Sequence, residues 1–345
     1  MKLTKMFRVS ATVLGCLLVL ISCRQGEDAA SSPLAPVDVK VVNHLVAVLG
    51  HESRVLELVD PASGEKVKSI RLAQPPNGMA VDGATVYVAE GGARGVVEVV
   101  DLESGELKRS FPAGHTPMSP VLREGKLYVA CRFDSRVLEM DAAAGTVLNS
   151  WNVPREPVVL AVSPDGRKIW AAGHLPAGAA DGDFTAAALT LVEDGKAVHF
   201  PLSNGTQGVR GMAISPDGRY LAVAHVLSRY QAPTTQLDRG WMNTNAVTVI
   251  NTDEPDKPHP VLLDDPDAGA ANPWGVSFSG DGGKLFVTHA GTHELSVIDF
   301  PALLERMKRE DRSNEPVSER LGFLHGLRAR IALPLNGPRS VASDG

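Results

Sequence analysis

The sequence has few cysteines and few aromatic residues, and it has no basic stripe. Three of the 345 residues are cysteine and 5% are aromatic. Cys16 and Cys23 belong to the N-terminal segment described below, which leaves Cys131 without an intramolecular partner, so no disulfide framework is expected. The formal net charge is −6. Because nucleic-acid binding needs clustered positive charge, no nucleic-acid partner is predicted.

Several catalytic motifs are also missing. The chain contains no Gly-x-Ser-x-Gly elbow, phosphate-binding loop, paired-cysteine metal motif or dinucleotide fingerprint. It also lacks Cys-x-x-Cys-His, the motif that attaches haem covalently. We therefore do not expect this chain to be an enzyme by itself, and its ligand cannot be read from a motif.

The N-terminus has the features of a secretory signal peptide. Three basic residues precede an uncharged stretch over residues 9–23, which is too short to cross a bilayer as a helix. This stretch ends in Leu20-Ile21-Ser22-Cys23, which resembles the bacterial lipobox, where the cysteine receives a lipid and becomes the first mature residue. An ordinary secretory leader with an incidental cysteine is the alternative. Removal of the leader leaves 31 basic and 40 acidic residues, a net charge of −9.

Three segments follow from this interpretation. Residues 1–22 are predicted to be a lipoprotein signal peptide, 23–38 a flexible tether rich in small and polar residues, and 39–345 the folded domain. Lipidation at Cys23 predicts an extracytoplasmic protein anchored to the membrane of the cell envelope. Arg24 stands where an aspartate would favour retention at the inner membrane, so the outer membrane or periplasmic side is preferred.

A two-part pattern of about forty residues recurs along the chain. Its first part is a strand pair joined by an Asp-Gly turn, which occurs at residues 82–83, 165–166, 217–218 and 281–282. Its second part is an alternating strand that ends in Asp60, Asp101 or Asp141, with spacings of 41 and 40 residues. Four short strands per repeat predict an all-β fold, a β-propeller of four-stranded blades. A β-solenoid and a large sandwich are the competitors.

Six blades are visible, together with the start of a further one. The six second strands are expected at residues 45–48, 86–89, 127–130, 169–172, 221–224 and 285–288. Residues 337–345 then repeat the beginning of a unit. Either this segment completes the first blade of a six-bladed ring, or the sequence is a truncated seven-bladed propeller. A helical insertion is expected over 301–326, as an amphipathic pair whose many charges argue against membrane insertion.

The strand sequences carry a family resemblance over about residues 41 to 345. Tyr87-Val88-Ala89, Tyr128-Val129-Ala130 and Phe286-Val287-Thr288 resemble the YVTN-type repeats of bacterial surface and periplasmic propellers. Three further segments, 204–208, 236–243 and 289–294, are similar to propellers that precede a dihaem cytochrome c peroxidase-like module. This chain lacks the haem-attachment motif of that module, so peroxidase activity is not implied for it. The resemblance implies a redox protein as a partner.

One face of the propeller is expected to carry the function. Loops between second and third strands share a face with the links between blades, and two adjacent blades have long loops there, after Trp170 and after Leu221. The candidate binding residues on this face are His51, His115, His174, His225, Arg229, Arg239, Trp241, His289, His293, Arg155, Arg210 and Arg339. Converging histidines could hold a metal ion or a haem supplied by a partner, and an inward ring of arginines could hold an anion.

Some of these residues have a particular predicted role or a competing structural role. His225, His289 and His293 are the metal candidates, although propeller histidines commonly serve as hydrogen-bonded loop residues. Trp241, inside the long loop of residues 225–243, is the aromatic expected to contact a partner, whereas Trp274 is expected to fill space between blades. Glu90, Asp134, Asp183 and Asn272 could form the metal cluster of a lactone-hydrolysing propeller, the alternative function. A lipid-anchored binding platform is the preferred interpretation.

Overall fold

The structure is a propeller of six four-stranded blades. The computed structural model describes residues 33–231, 233, 235, 242–310, 320–334 and 336–343. In this part of the chain, each sheet is an antiparallel meander of four consecutive strands. Inner strands of successive blades contact one another in chain order. The prediction of an all-β propeller is confirmed, and the six predicted second strands are β2, β6, β10, β14, β18 and β22, whose bounds follow.

The strands are numbered in chain order. Blades 1 to 3 contain β1 (Pro36–Val42), β2 (Leu45–Gly50), β3 (Val55–Val59), β4 (Lys66–Arg71), β5 (Pro76–Asp82), β6 (Thr85–Glu90), β7 (Val96–Asp101), β8 (Leu107–Pro112), β9 (Pro117–Arg123), β10 (Lys126–Cys131), β11 (Arg136–Asp141) and β12 (Val147–Asn152). Blades 4 to 6 contain β13 (Pro157–Val162), β14 (Ile169–Pro176), β15 (Ala187–Glu193), β16 (Lys196–Pro201), β17 (Thr206–Ile214), β18 (Tyr220–Ser228), β19 (Asn243–Asn251), β20 (His259–Leu262), β21 (Pro273–Phe278), β22 (Lys284–His289), β23 (Glu294–Asp299) and β24 (Arg328–Ala332). The first strand begins at Pro36, within the segment predicted as the end of the tether.

The Ser-Pro-Asp-Gly hairpins form because their side chains hold the turn. In blade 4 the Ser163 hydroxyl donates to the Asp165 carboxylate at 2.5 Å and accepts from the Lys168 amide at 2.9 Å. Gly166 has a φ of +71°, which glycine adopts at low steric cost. Equivalent serine–aspartate bonds recur at 2.5 Å in blades 5 and 6. Local turn chemistry therefore fixes these hairpins.

The core lies between the blades rather than in one centre. Successive residues of a strand point to opposite faces of its sheet, and blades 2 to 5 have a neighbouring blade on each face. In β6, Val86 and Val88 pack against blade 1, whereas Tyr87 packs against blade 3. This two-sided burial explains why the second strands have near-continuous apolar sequences.

Side chains near the axis connect neighbouring inner strands. The Asp38 carboxylate accepts a hydrogen bond from the Met79 amide of the next blade at 3.0 Å. The Ser119 hydroxyl accepts one from the Leu160 amide, also at 3.0 Å. Gly211 occupies the same position in blade 5, and there the backbones themselves come into close contact. The inner strands therefore form a closely packed ring around the axis.

The segment over residues 337–343 lies between blade 6 and blade 1 as an inner strand would. The Ser340 hydroxyl accepts from the Val39 amide at 3.3 Å and bonds the Asp38 carboxylate at 3.2 Å. Val341 is buried with Phe286 of blade 6. Blade 1 has its own inner strand, β1, so the alternative in which this segment completes the first blade is wrong.

A single α-helix occurs in the described residues, α1 (Phe300–Glu310), between β23 and β24. Phe300 and Leu303 of α1 are buried together with Phe323 and Leu324. Residues 321–327 form successive turns, so the second helix of the predicted pair is absent from the described part of the insertion. No helix in these ranges has both the length and the apolar character needed to cross a membrane.

Candidate binding site at the propeller axis

A cavity of about 410 Å³ lies on the axis, at the end where the chain enters the inner strands. Its wall includes one residue near the start of each inner strand and one from the segment over residues 337–343, together with side chains from loops after second strands. The inner-strand residues are Val37, Asn77, Met118, Val158, Arg210, Trp274 and Arg339, and the loop residues include His51, Glu52 and Arg132. The cavity therefore opens on the face predicted to carry function.

Two arginines and a tryptophan dominate one side of this cavity. The guanidinium carbon of Arg210 lies 4.0 Å from the centre of the Trp274 ring, and that of Arg339 lies 4.9 Å from it. Both arrangements are cation–π contacts. Trp274 thus lines the cavity and positions two cations, whereas the sequence suggested a filler between blades.

A third arginine faces the same space. Arg132 is paired with Glu156 of the following link through a bond of 2.9 Å to Oε2. Burial, together with the charges of Arg339 and Arg132, lowers the pKa of Arg210. Within the described residues neither Arg210 nor Arg339 has a carboxylate within 4.0 Å. The cavity wall therefore carries two guanidinium groups that are not paired with a carboxylate, and its acidic residues are Asp38 and Glu52.

His51 and His174 connect successive blades near this cavity. Nδ1 of His51 donates to the Pro76 carbonyl oxygen at 2.8 Å, and Nδ1 of His174 donates to that of Val209 at 2.8 Å. Burial lowers the pKa of His174, which favours its neutral form. Arg132 holds the equivalent position in blade 3. The same position of the repeat, at the end of the second strand, thus connects blades 1, 3 and 4 to the blade that follows each of them.

His225 and His289 lie one residue earlier in the repeat and are buried inside their own blades. Nε2 of His225 lies 2.6 Å from the Thr248 hydroxyl oxygen, and that of His289 lies 2.7 Å from the Ser296 hydroxyl oxygen. Burial lowers the pKa of each imidazole to about 4. Both histidines are therefore neutral, hydrogen-bonded and turned away from the axial cavity's wall.

The other two candidate histidines, His115 and His293, lie on separate loops. Nδ1 of His293 accepts from the Gly337 amide at 3.0 Å. The ring of His115 contacts that of Phe133 edge to face at 5.0 Å, and its Nδ1 lies 3.0 Å from the Thr116 hydroxyl oxygen. Over the described ranges, no three His, Cys, Asp or Glu side chains are placed to share a metal ion. The structure thus does not bring the candidate metal residues together.

The residues of the lactonase alternative also have separate partners. The Glu90 carboxylate accepts from the Gln74 amide at 3.0 Å, and the Asp134 carboxylate accepts from the His115 amide at 2.7 Å. The Asp183 carbonyl binds Tyr230, and the Asn272 amide donates to Asn245. No observation in the described part of the chain favours that enzyme.

A buried thiol and a buried pair of carboxyl groups lie elsewhere in the blades. Cys131 is buried, its thiol donates to the Ala113 carbonyl at 3.0 Å, and burial raises the pKa of this thiol to about 12, which makes it a poor nucleophile. Glu90 is buried beside Glu98, and burial together with this second carboxyl raises the pKa of Glu90 to about 8. This acid pair has no sequence signal, because Glu90 lies on β6 and Glu98 on β7.

The two long loops contact each other at the rim of the same face. The Tyr230 hydroxyl donates to the Asp183 carbonyl oxygen at 3.1 Å, and Nε2 of Gln231 donates to that oxygen at 2.7 Å. A second cavity of about 310 Å³, lined by Arg155 and Tyr230 among others, lies beside them. Arg155 is therefore separated from the axial arginines and faces this second cavity.

The remaining candidates belong to the loop that follows β18 and to the N-terminal segment. Arg229 is partly buried at the end of blade 5, and its backbone amide donates to the Met242 carbonyl oxygen at 2.9 Å. Arg239 and Trp241 lie outside the described residues, as does Cys23. The bond between Arg229 and Met242 thus joins the two described ends of the loop that follows β18.

The fold and this site define a β-propeller with a cation-lined axial cavity. No protein-family model matches the sequence. The chain is similar to hydrazine synthase subunit beta of Kuenenia stuttgartiensis, with 27% identity over 191 residues, 54% of this chain and 47% of that protein. The match thus spans about half the length of that curated relative. A solved Kuenenia stuttgartiensis hydrazine synthase chain superposes with a TM-score of 0.80 at 21% identity, covering 94% of this chain and 93% of that one, a likeness that shows the fold.

Proposed function

We propose that this protein is a lipid-anchored, extracytoplasmic propeller of the YVTN type that binds a redox protein on its loop-rich face. The observation that carries the proposal is a set of exposed apolar side chains on the loops after second strands. Phe184 is 56% exposed, Met242 53% and Phe133 51%. Large exposed side chains on one face are typical of protein-binding surfaces, whose affinity depends on a few such residues.

The similarity to a named subunit supports an assembly. The relative is called a subunit of hydrazine synthase, so we infer that this propeller also works beside other chains. Its six blades supply a rigid scaffold, and the mutual contact of the two long loops holds Tyr230 near Phe184. A c-type cytochrome or a peroxidase-like module supplied by another chain is the partner that we propose, with the haem belonging to that partner.

Partner capture tests the binding face. The full chain, bound to a resin, is expected to enrich a haem-staining protein from envelope extract of the native organism. The Phe184→Ser and Met242→Ser variants should each reduce capture at least about tenfold, because hot-spot truncations cost roughly 2 kcal/mol. Val67→Ser is the matched control, because Val67 is 58% exposed but lies on the outermost strand β4. Equal capture by all variants, or enrichment of no haem protein, would contradict the proposal.

The anchor is tested separately at Cys23. In the native host the wild-type protein is expected in the membrane fraction and labelled by radioactive palmitate. Cys23→Ser should lose the label and move to the soluble fraction, because one lipid-modified residue provides the membrane affinity. Cys16→Ser, within the leader, is the control and should fractionate as wild type. Unchanged labelling of Cys23→Ser would show that the lipid is not on this residue.

A further inference from the structure

Arg210 and Arg339 line the same cavity and contact the same aromatic ring. Their guanidinium carbons lie 4.0 and 4.9 Å from the same ring centre, so these carbons are at most 8.9 Å apart. A bidentate guanidinium places its carbon about 4 Å from the central atom of an oxyanion. Two arginines that line one cavity within this distance can both contact a single phosphate or carboxylate group on the cavity side of the Trp274 ring.

The charge of these two arginines is only partly balanced by the protein, because Glu52 also lines the cavity. Arg132 is paired with Glu156, and Lys40 lies 3.6 Å from the Asp38 carboxylate. The Asp38 carboxylate is in turn occupied by the Met79 amide and the Ser340 hydroxyl. Holding Arg210 and Arg339 close together costs electrostatic energy, which a bound anion would offset.

The cavity is larger than an inorganic anion and its wall is not uniformly polar. Met118 and Val158 project from inner strands beside the arginines, and the cavity measures about 410 Å³. Sites of this size commonly hold small organic molecules with a few fixed polar contacts. The apolar part of the wall can therefore accommodate a small carbon skeleton attached to the anionic group.

We propose that the axial cavity binds a small organic anion whose oxyanion group contacts both Arg210 and Arg339. Its apolar part lies against Met118 and Val158, and Trp274 keeps the two guanidinium groups in position. Phosphate monoesters have this chemistry, because arginine matches the geometry of phosphate oxygens through paired hydrogen bonds. This site does not depend on the proposed protein partner, because its residues differ from Phe133, Phe184 and Met242, the exposed side chains of the proposed protein-binding face.

Calorimetric titration of the full chain with phenyl phosphate and with inorganic phosphate tests the proposal. Phenyl phosphate is expected to bind at one site per chain, and more tightly than inorganic phosphate. Arg210→Gln and Arg339→Gln should each weaken it at least about tenfold, because each removes a charged bidentate contact. Arg155→Gln is the matched control, because Arg155 is exposed on the same face but lies outside this cavity. Its affinity should equal that of the wild type.

Trp274 provides a second measurement that locates the ligand. Phenyl phosphate should change the intrinsic fluorescence of the wild type, and Trp274→Phe should lose this change while still binding in the calorimeter. Circular dichroism establishes that each variant is folded, and Arg339→Lys, which retains the charge, should bind with intermediate affinity. Absence of binding at about 10 mM ligand, or equal affinity of wild type and both arginine variants, overturns the proposal. Equal affinity for both phosphates would overturn the assignment of an organic ligand.

Discussion

Replacing Gly211 by alanine is expected to destabilise the propeller by about 3 kcal/mol or more. A Cβ atom at this position would lie 1.9 Å from the Trp274 carbonyl oxygen and 3.1 Å from its carbonyl carbon. These are backbone atoms of the neighbouring inner strand, so no rotation of a flexible side chain can relieve the contact. The inner strands of blades 5 and 6 would have to separate at the axis.

Urea unfolding of the purified protein measures this effect. Gly92→Ala is the matched control, because a Cβ atom there would meet nothing within 4 Å, and its free energy of unfolding should remain within about 0.5 kcal/mol of the wild type. Because Trp274 lines the axial cavity, Gly211→Ala should also weaken phenyl phosphate binding. A loss of stability below about 1 kcal/mol would show that the two strands separate without much cost.

The free energy of unfolding is expected to rise from pH 4 to about 6.5 and to fall again towards pH 8. The rise in the free energy of unfolding between pH 4 and 6.5 comes from His225 and His289, whose pKa values are lowered to about 4 by burial. Below the ordinary pKa of about 6.5 the unfolded chain takes up protons that the folded state excludes. Each histidine therefore contributes a loss of up to about 1.4 kcal/mol per pH unit as the pH falls through this window.

The fall in the free energy of unfolding above pH 6.5 comes from Glu90, whose pKa is raised to about 8 by burial beside Glu98. Between the ordinary pKa of a glutamate, about 4.3, and this raised value, the folded state binds a proton that the unfolded chain releases. Stability is therefore lost as the pH rises through this window. Above pH 6.5 the histidine contribution is constant, so the Glu90 contribution determines the slope.

Two substitutions separate these contributions. Glu90→Gln should remove most of the decline between pH 6.5 and 8, because the amide keeps the shape of the side chain without a titrating proton. His289→Gln should remove most of the rise on the acidic side, because the remaining histidine then only offsets the opposite contribution of Glu90, and it should leave the alkaline side unchanged. Urea unfolding at several pH values measures both slopes. A decline above pH 6.5 that persists in Glu90→Gln would assign it to another group.

Much of the fold follows from local sequence signals. The Asp-Gly turns and the aspartates that end third strands are short-range features, so their spacing of about forty residues identified the blades. The helix α1 was likewise indicated by Pro301 and by Leu303, although the residues after 320 form turns instead of a second helix. Turn chemistry and periodicity act over a few residues, which is why a single sequence reveals them.

The site was less predictable, because the orientation of a side chain depends on register. His174 and His225 look alike in the sequence, yet they occupy positions one residue apart in the repeat. A shift of one residue turns a strand side chain to the opposite face, so His174 reaches the next blade while His225 is buried in its own. Alignment of the inner strands at Pro117, Pro157 and Pro273 would have indicated that Trp274 faces the axis, since it follows the first residue.

The hydrogen bond between Ser340 and Asp38 joins residues that are 302 positions apart in the chain. Most contacts between blades, by contrast, join neighbouring repeats. Blades can therefore form one after another before the two ends of the domain meet. Bringing these ends together costs entropy, and this cost grows with the number of residues between them. Ring closure is thus expected to be the slow last step of refolding, and removing the Ser340 hydroxyl should accelerate reopening of the ring more than it slows the formation of individual blades.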